Sequence, residues 1–293
     1  MRGRLLAVFG VAVMLGGAAA APSMKDILDA SPKGDWRAVD ADQLLIMQLP
    51  KGRVVIALAP AFAPNTIANI RTLVGARYFD GAAIVRAQDN YVVQWARSDK
   101  RSLGSAKATI TAEFDRPIEA DAKFTALSDP DTYAPQTGFV DGFPVARDPG
   151  QRREWLTHCY AMVGVGRDTD ADSGSGQELY AVIGQSPRNL DRNVTLVGRI
   201  IEGMELLSTL PRGTGALGFY VVPKEQPIPI VSIRLGSEMP PAQRPHVDML
   251  RTDSATFAKL IAERRARRDV WYRHSPDRIG VCNMPLPVRI DGK

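Results

Sequence analysis

A guanidinium and a carboxamide, Arg86 and Gln94, lie in the stretch 78–99, where turn pairs at Asp80-Gly81 and Asp89-Asn90 punctuate two extended segments. The stretch reads as a hairpin that carries functional groups. Side chains alternate along a strand, so Tyr91 and Val93 are expected on one face and Val92 and Gln94 on the other. Arg86 and Gln94 are then the polar pair of interest. Other reactive constellations are thin. The three histidines, His158, His246 and His274, have no metal-ligand spacing to one another or to a cysteine. His158 beside Cys159 makes no nucleophile and base on a strand, because neighbours there point to opposite faces. Asp168, Asp170 and Asp172 alternate as in a calcium loop, yet Ser173 replaces the turn glycine and Leu179 the bidentate carboxylate that such a loop needs. A solvated acidic loop is expected there, with no metal.

The frame that must hold this hairpin reads as mainly β. Residues 44–49 and 54–58 are apolar extended runs joined by Pro50-Lys51-Gly52-Arg53, a second hairpin. Pro64 opens a helix in which Ile67, Ile70, Leu73 and Val74 recur at helical spacing until Gly75. Residues 128–150 are rich in Asp, Pro and Gly and predict a long surface loop, after which a strand is expected over 157–164. Residues 228–235 supply a last strand. Pro240, Pro241 and Pro245 mark a linker into a helix over 254–268, with Phe257, Leu260 and Ile261 on one face and Arg264, Arg265, Arg267 and Arg268 at its end. Cations at that end are expected to offset the helix dipole on a solvated face or to meet an anionic envelope surface.

A chain of 293 residues with 45% hydrophobic content can bury a substantial core. Its first segment differs in kind. Arg2 and Arg4 precede an apolar run over 5–15 and small residues up to Ala21, the pattern of a cleavable signal peptide over 1–21, too short for an ordinary transmembrane helix. A periplasmic or secreted protein is expected, with no transmembrane span after cleavage. The compartment is oxidising, so Cys159 and Cys282 could bridge and tie the tail to the body, or remain two buried thiols. Of the net charge of +5, Arg2 and Arg4 account for two, leaving about +3, which is no nucleic-acid signature.

Several segments resemble the cyclophilin family of peptidyl-prolyl isomerases. The family pattern Tyr-(Asp/Asn)-Gly, Phe-His-Arg and Phe-Met-x-Gln-Gly-Gly-Asp is similar to 78–99, with Arg86, Tyr91, Val92, Gln94 and Asp99 in register. Residues 63–69 resemble its Ala-Pro-x-Thr-(Val/Ile)-x-Asn, and Met162 its Met-Ala-Asn strand. Ser175-Gly176-Gln177-Glu178-Leu179 resembles Gly-Ser-Gln-Phe-Phe, and Asn189-Leu190-Asp191, 194–198 and 202–207 its Leu-Asp, Val-Phe-Gly and Glu-Gly-Met segments. The resemblance implies a closed eight-stranded antiparallel barrel capped by two helices over 44–236, preceded by an N-terminal arm at 22–43 and followed by a basic C-terminal extension with one helix at 237–293.

It also implies a chemistry that needs no cofactor. Rotation about an X-Pro bond meets a barrier of about 18–20 kcal/mol because the amide nitrogen shares its lone pair with the carbonyl. By position, Arg86 would donate to that nitrogen as the amide twists and Gln94 would hydrogen-bond the peptide backbone. Tyr91, Val92, Leu179, Leu190, Gln177 and Met162 would form or flank the substrate pocket. The implied partners are Pro-containing segments of unfolded or exported proteins, met by a monomer. Val85 and Val194 stand where the family has histidines, Glu178 and Leu179 replace two phenylalanines, and Asn189 replaces a tryptophan. These departures predict slow or narrowly selective isomerase activity, or a fold that holds Pro-containing peptides or an envelope partner without catalysis.

Overall fold

A computed structural model describes residues 22–99, 101–121, 123–268 and 271–291. The expected signal peptide, 1–21, lies outside the described residues. Apolar runs and tight turns between residues 44 and 235 generate a curled antiparallel sheet of nine strands. Its order is Ile228–Pro229, Ala83–Ala87, Val92–Ala96, Leu179–Val182, Met162–Val165, Leu196–Glu202, Gly52–Leu58, Leu44–Leu49 and Ser232–Leu235. One segment therefore lies at both edges: Ile228 pairs with Ile84, while Ser232 pairs with Gln48.

The sheet is buried on both faces, which explains why Leu44–Leu49 and Gly52–Leu58 read as continuous apolar runs rather than alternating ones. Leu45, Met47, Val54 and Ile56 point into an inner core. There they meet Ile67, Ile70, Leu73 and Val74 of the helix Pro64–Gly75. Ala63 provides no side-chain cap for that helix. The Glu113 carboxylate does so instead, accepting from the backbone N–H of Asn65 at 3.0 Å and of Thr66 at 2.9 Å. The second helix, Met204–Ser208, inserts Leu207 into the same core.

The outer face carries Leu44, Ile46, Val55 and Ala57, and it is covered by residues of the expected 128–150 loop and of the C-terminal extension. Residues 128–150 are not a surface loop. They hold the strands Gln136–Val140 and Phe143–Asp148, joined at Asp141-Gly142 with both residues at positive φ, 49° and 80°. That is the two-residue turn that Asp-Gly favours between hairpin strands. With Thr125–Leu127, Arg153–Leu156 and Arg116–Pro117 they make a five-stranded sheet. The strand expected over 157–164 forms only at its end, in Met162–Val165, and residues 157–161 link it to the strand Arg153–Leu156. The link ends in the turn where Ala161 takes φ 72°.

The two ends of the chain meet in a third sheet, Trp36–Ala38, Val247–Leu250 and Val288–Ile290. The extension thus holds strands as well as its helix, Ala255–Ala266, which starts where Ser254 accepts from the Phe257 N–H at 3.1 Å. Phe257 and Leu260 are fully buried against the outer face, with Phe139 edge-on to Phe257 at 5.1 Å between ring centres. Of the basic helix end, Arg265 pairs with Asp129 at 2.6 Å. Cys159 and Cys282 are joined in a disulfide that ties residue 282 of the extension to the connection leading into the strand Met162–Val165. No helix among the described residues is long and apolar enough to cross a membrane.

Candidate active site

The strands Ala83–Ala87 and Val92–Ala96 are paired out of step at one point. Ile84 faces Trp95, and the next pair is Arg86 with Gln94, so Val85 is an extra residue. Without that bulge Arg86 would share the face of Ile84, which is fully buried in the inner core. With it, Arg86 is turned to the outer side next to Gln94. The two side chains line a cleft of about 1080 Å³.

The Arg86 guanidinium donates from Nη1 to Gln94 Oε1 at 3.1 Å, from Nε to the Leu217 carbonyl at 2.6 Å, and from Nη2 to Gln88 Oε1. It also stacks over Tyr91 at 5.7 Å and Phe219 at 5.4 Å from the ring centres. All three acceptors are neutral, and burial holds its pKa below the ordinary arginine value. Gln94 is buried and passes the chain on, donating from Nε2 to Glu178 Oε2 at 2.7 Å. These bonds fix which end of the Gln94 amide faces the arginine.

A second wall comes from Tyr180, which pairs with Gln94 across the neighbouring strand. A Cβ at Gly164 would approach the Tyr180 hydroxyl to 2.4 Å, so only glycine there lets the ring lie flat over its strand. The hydroxyl meets His158 Nε2 at 2.8 Å, and His158 Nδ1 meets Asp191 Oδ1 at 3.0 Å. Asp191 in turn accepts from Arg188 Nε at 2.7 Å, and Arg188 is held by Asp131. This buried network pins the ring, and burial pushes the Tyr180 hydroxyl well above its usual range, so it stays neutral.

Of the residues expected at the site, Arg86, Gln94, Tyr91, Val92, Leu190 and Gln177 all line this cleft. Tyr91 does so although alternation put it with Val93, because it sits in the turn before the strand begins at Val92. Two do not line it. Leu179 is fully buried in the inner core, paired with Trp95, since the pleat sends alternate residues inward. Met162 packs into the outer core and borders a different cavity.

The sequence reading missed Tyr180 and Phe219. Shifting the Gly-Ser-Gln-Phe-Phe motif by one residue, onto 176–180, would have put an aromatic, Tyr180, at its last position. Phe219 lies in the loop 213–226, which has no periodicity to read. That loop is held where Glu225 accepts from the Val221 N–H at 2.9 Å and Tyr220 N–H donates to the Val85 carbonyl at 3.0 Å. In the acidic stretch Asp168, Asp170 and Asp172 are exposed, and Asp172 accepts from the Ala112 N–H at 3.2 Å.

The family profile of cyclophilin type peptidyl-prolyl cis-trans isomerases matches residues 44–235. The chain therefore belongs to that family of peptidyl-prolyl cis-trans isomerases. Among solved structures it is similar to the cyclophilin AquaCyp293 from Hirschia baltica, with 25% identity and a TM-score of 0.69 over 92% of this chain and 98% of that chain. A cyclophilin type isomerase of Cryptosporidium parvum, solved in the presence of the dipeptide Ala-Pro, is 11% identical with a TM-score of 0.43. That match covers 66% of this chain and 98% of that one. No curated protein matches the chain.

Proposed function

We propose that the cleft isomerises X-Pro bonds in Pro-containing segments of exported proteins, with Arg86 weakening the amide resonance. The observation that carries this reading is the bulge that turns Arg86 onto Gln94 inside an open cleft. A guanidinium has five N–H groups, and three are engaged within the protein, so two are left to face a twisting prolyl nitrogen. Tyr91, Phe219 and Tyr180 supply the apolar surface for a proline ring in place of the phenylalanines and tryptophan of the family pattern. Gln94 and Glu178 present oxygen and nitrogen to the peptide backbone. That Ile228 pairs with one edge of the sheet and Ser232 with the other supports reading it as the closed eight-stranded barrel expected of this family. The apolar leader at 1–21 is the support for export into the periplasm.

A second reading rests on the same guanidinium: with Leu217, Gln88 and Gln94 as internal acceptors, Arg86 could serve to shape a peptide-holding groove without catalysis. Exchange between the cis and trans resonances of an Ala-Pro peptide separates the two. Catalytic amounts of the purified chain are expected to accelerate exchange; saturable peptide binding with an unchanged exchange rate would leave only the holding function.

A further inference from the structure

A second cavity, about 280 Å³, shares no lining residue with the Arg86 cleft. It opens between the outer face of the main sheet and residues 281–286, which the Cys159–Cys282 disulfide fixes there. Arg199 projects from the strand Leu196–Glu202, between Met162 and Ala57 on the neighbouring strands. It is 8% exposed. Its Nη2 donates to the Leu286 carbonyl at 3.3 Å, and its Nε has no partner among the described residues. No described carboxylate pairs with it, and no acidic residue lines the cavity. Burial alone brings its pKa down to about 10.

An uncompensated buried cation is costly unless an opposite charge reaches it. A half-buried Arg264 adds a second cation to the lining, while Met162, Met284, Pro285 and Leu286 make the rest largely apolar. We propose that this cavity binds a small organic carboxylate with a short apolar body, whose carboxylate pairs with the Arg199 guanidinium. The planar fork of arginine matches a carboxylate, and the apolar lining favours an anion with an alkyl part over a fully hydrated one. Ligand pockets run from roughly 300 to 1,000 Å³, so a cavity of this size limits the ligand to a short chain.

Hexanoate is a suitable probe, read by thermal melting and calorimetry of the purified chain, with hexanol and inorganic phosphate alongside. Hexanoate is expected to raise the wild-type melting temperature as its concentration rises, and the other two to raise it less. Arg199→Met is expected to melt at or above the unliganded wild type, because it removes an unpaired buried charge, and to lose the hexanoate response. Arg199→Lys, which keeps the charge without the fork, is expected to bind hexanoate at least tenfold more weakly by calorimetry, and serves if the methionine variant fails to fold. An absent wild-type response overturns the proposal. So does an equal response to hexanol or phosphate, or hexanoate binding undiminished in the Arg199 variants.

Discussion

Arg86 and Arg199 belong to the same nine-stranded sheet, and their surroundings differ in kind. Arg86 stands at a bulge, half-buried, with neutral oxygen acceptors and aromatic faces around it and a wide cleft in front. Arg199 stands between two irregularities of its strand, beneath the C-terminal segment, with a single carbonyl acceptor. A guanidinium that is to act on a passing peptide needs solvent access and spare donors. One closed over by later segments of the chain keeps its charge without spending it on a protein partner. The two sites therefore separate the open cleft from the stretch of outer face that 116–156 and 237–291 cover.

If that separation is real, the outer region can be weakened without harming the cleft. Replacing both Cys159 and Cys282 by serine opens a link across a sequence separation of 123. It is expected to lower the unfolding free energy by about 2–5 kcal/mol in a denaturant titration, with isomerase activity at low temperature retained. Parallel loss of activity and stability would break the comparison by coupling the two regions.

The cleft can be probed in the opposite sense. Phe219→Ala removes one aromatic face from Arg86 and from the proposed proline wall. It is expected to raise KM for a proline peptide by about five- to tenfold, corresponding to about 1 kcal/mol, with little change in kcat or melting temperature. An unchanged KM would place Phe219 outside the peptide path.

The smallest effect belongs to the outer region. Hydrogen bonds from Arg251 and then Lys123 hold the Asp253 carboxyl down to about 2. A depressed carboxylate contributes stability that is present above its unfolded value of 3.8 and lost as pH falls through about 2. Asp253→Asn should therefore lower the unfolding free energy slightly at pH 6, by under about 1 kcal/mol for so exposed a pair, and the gap to wild type should close near pH 2. A gap that persists at pH 2 would mean that the charge is not its source.

How much of this was legible in the sequence follows from how local each signal is. The hairpin around Arg86, the helix Pro64–Gly75 and the helix Ala255–Ala266 announce themselves through turn residues, a Pro start, a Ser cap and apolar periodicity. The inward turn of Leu179 and the outward turn of Tyr180 were not legible, because the pairing with Trp95 and Gln94 across more than eighty residues of chain sets them. The five-stranded sheet was hidden by its turn-rich composition, although Asp141-Gly142 between Val140 and Phe143 was a readable hairpin signal. Phe219 reaches Arg86 from an irregular loop, and the empty side of Arg199 appears only once the C-terminal segment is folded over it.

The central claim is that Arg86 acts on the prolyl amide. The direct measurement is kcat/KM for one proline peptide with wild type and Arg86→Ala, alongside the peptide Kd of each. The account predicts a fall of about a hundredfold or more in kcat/KM with Kd changed only a few-fold, as expected for a donor whose bond strengthens in the transition state. Equal kcat/KM for the two proteins would contradict it.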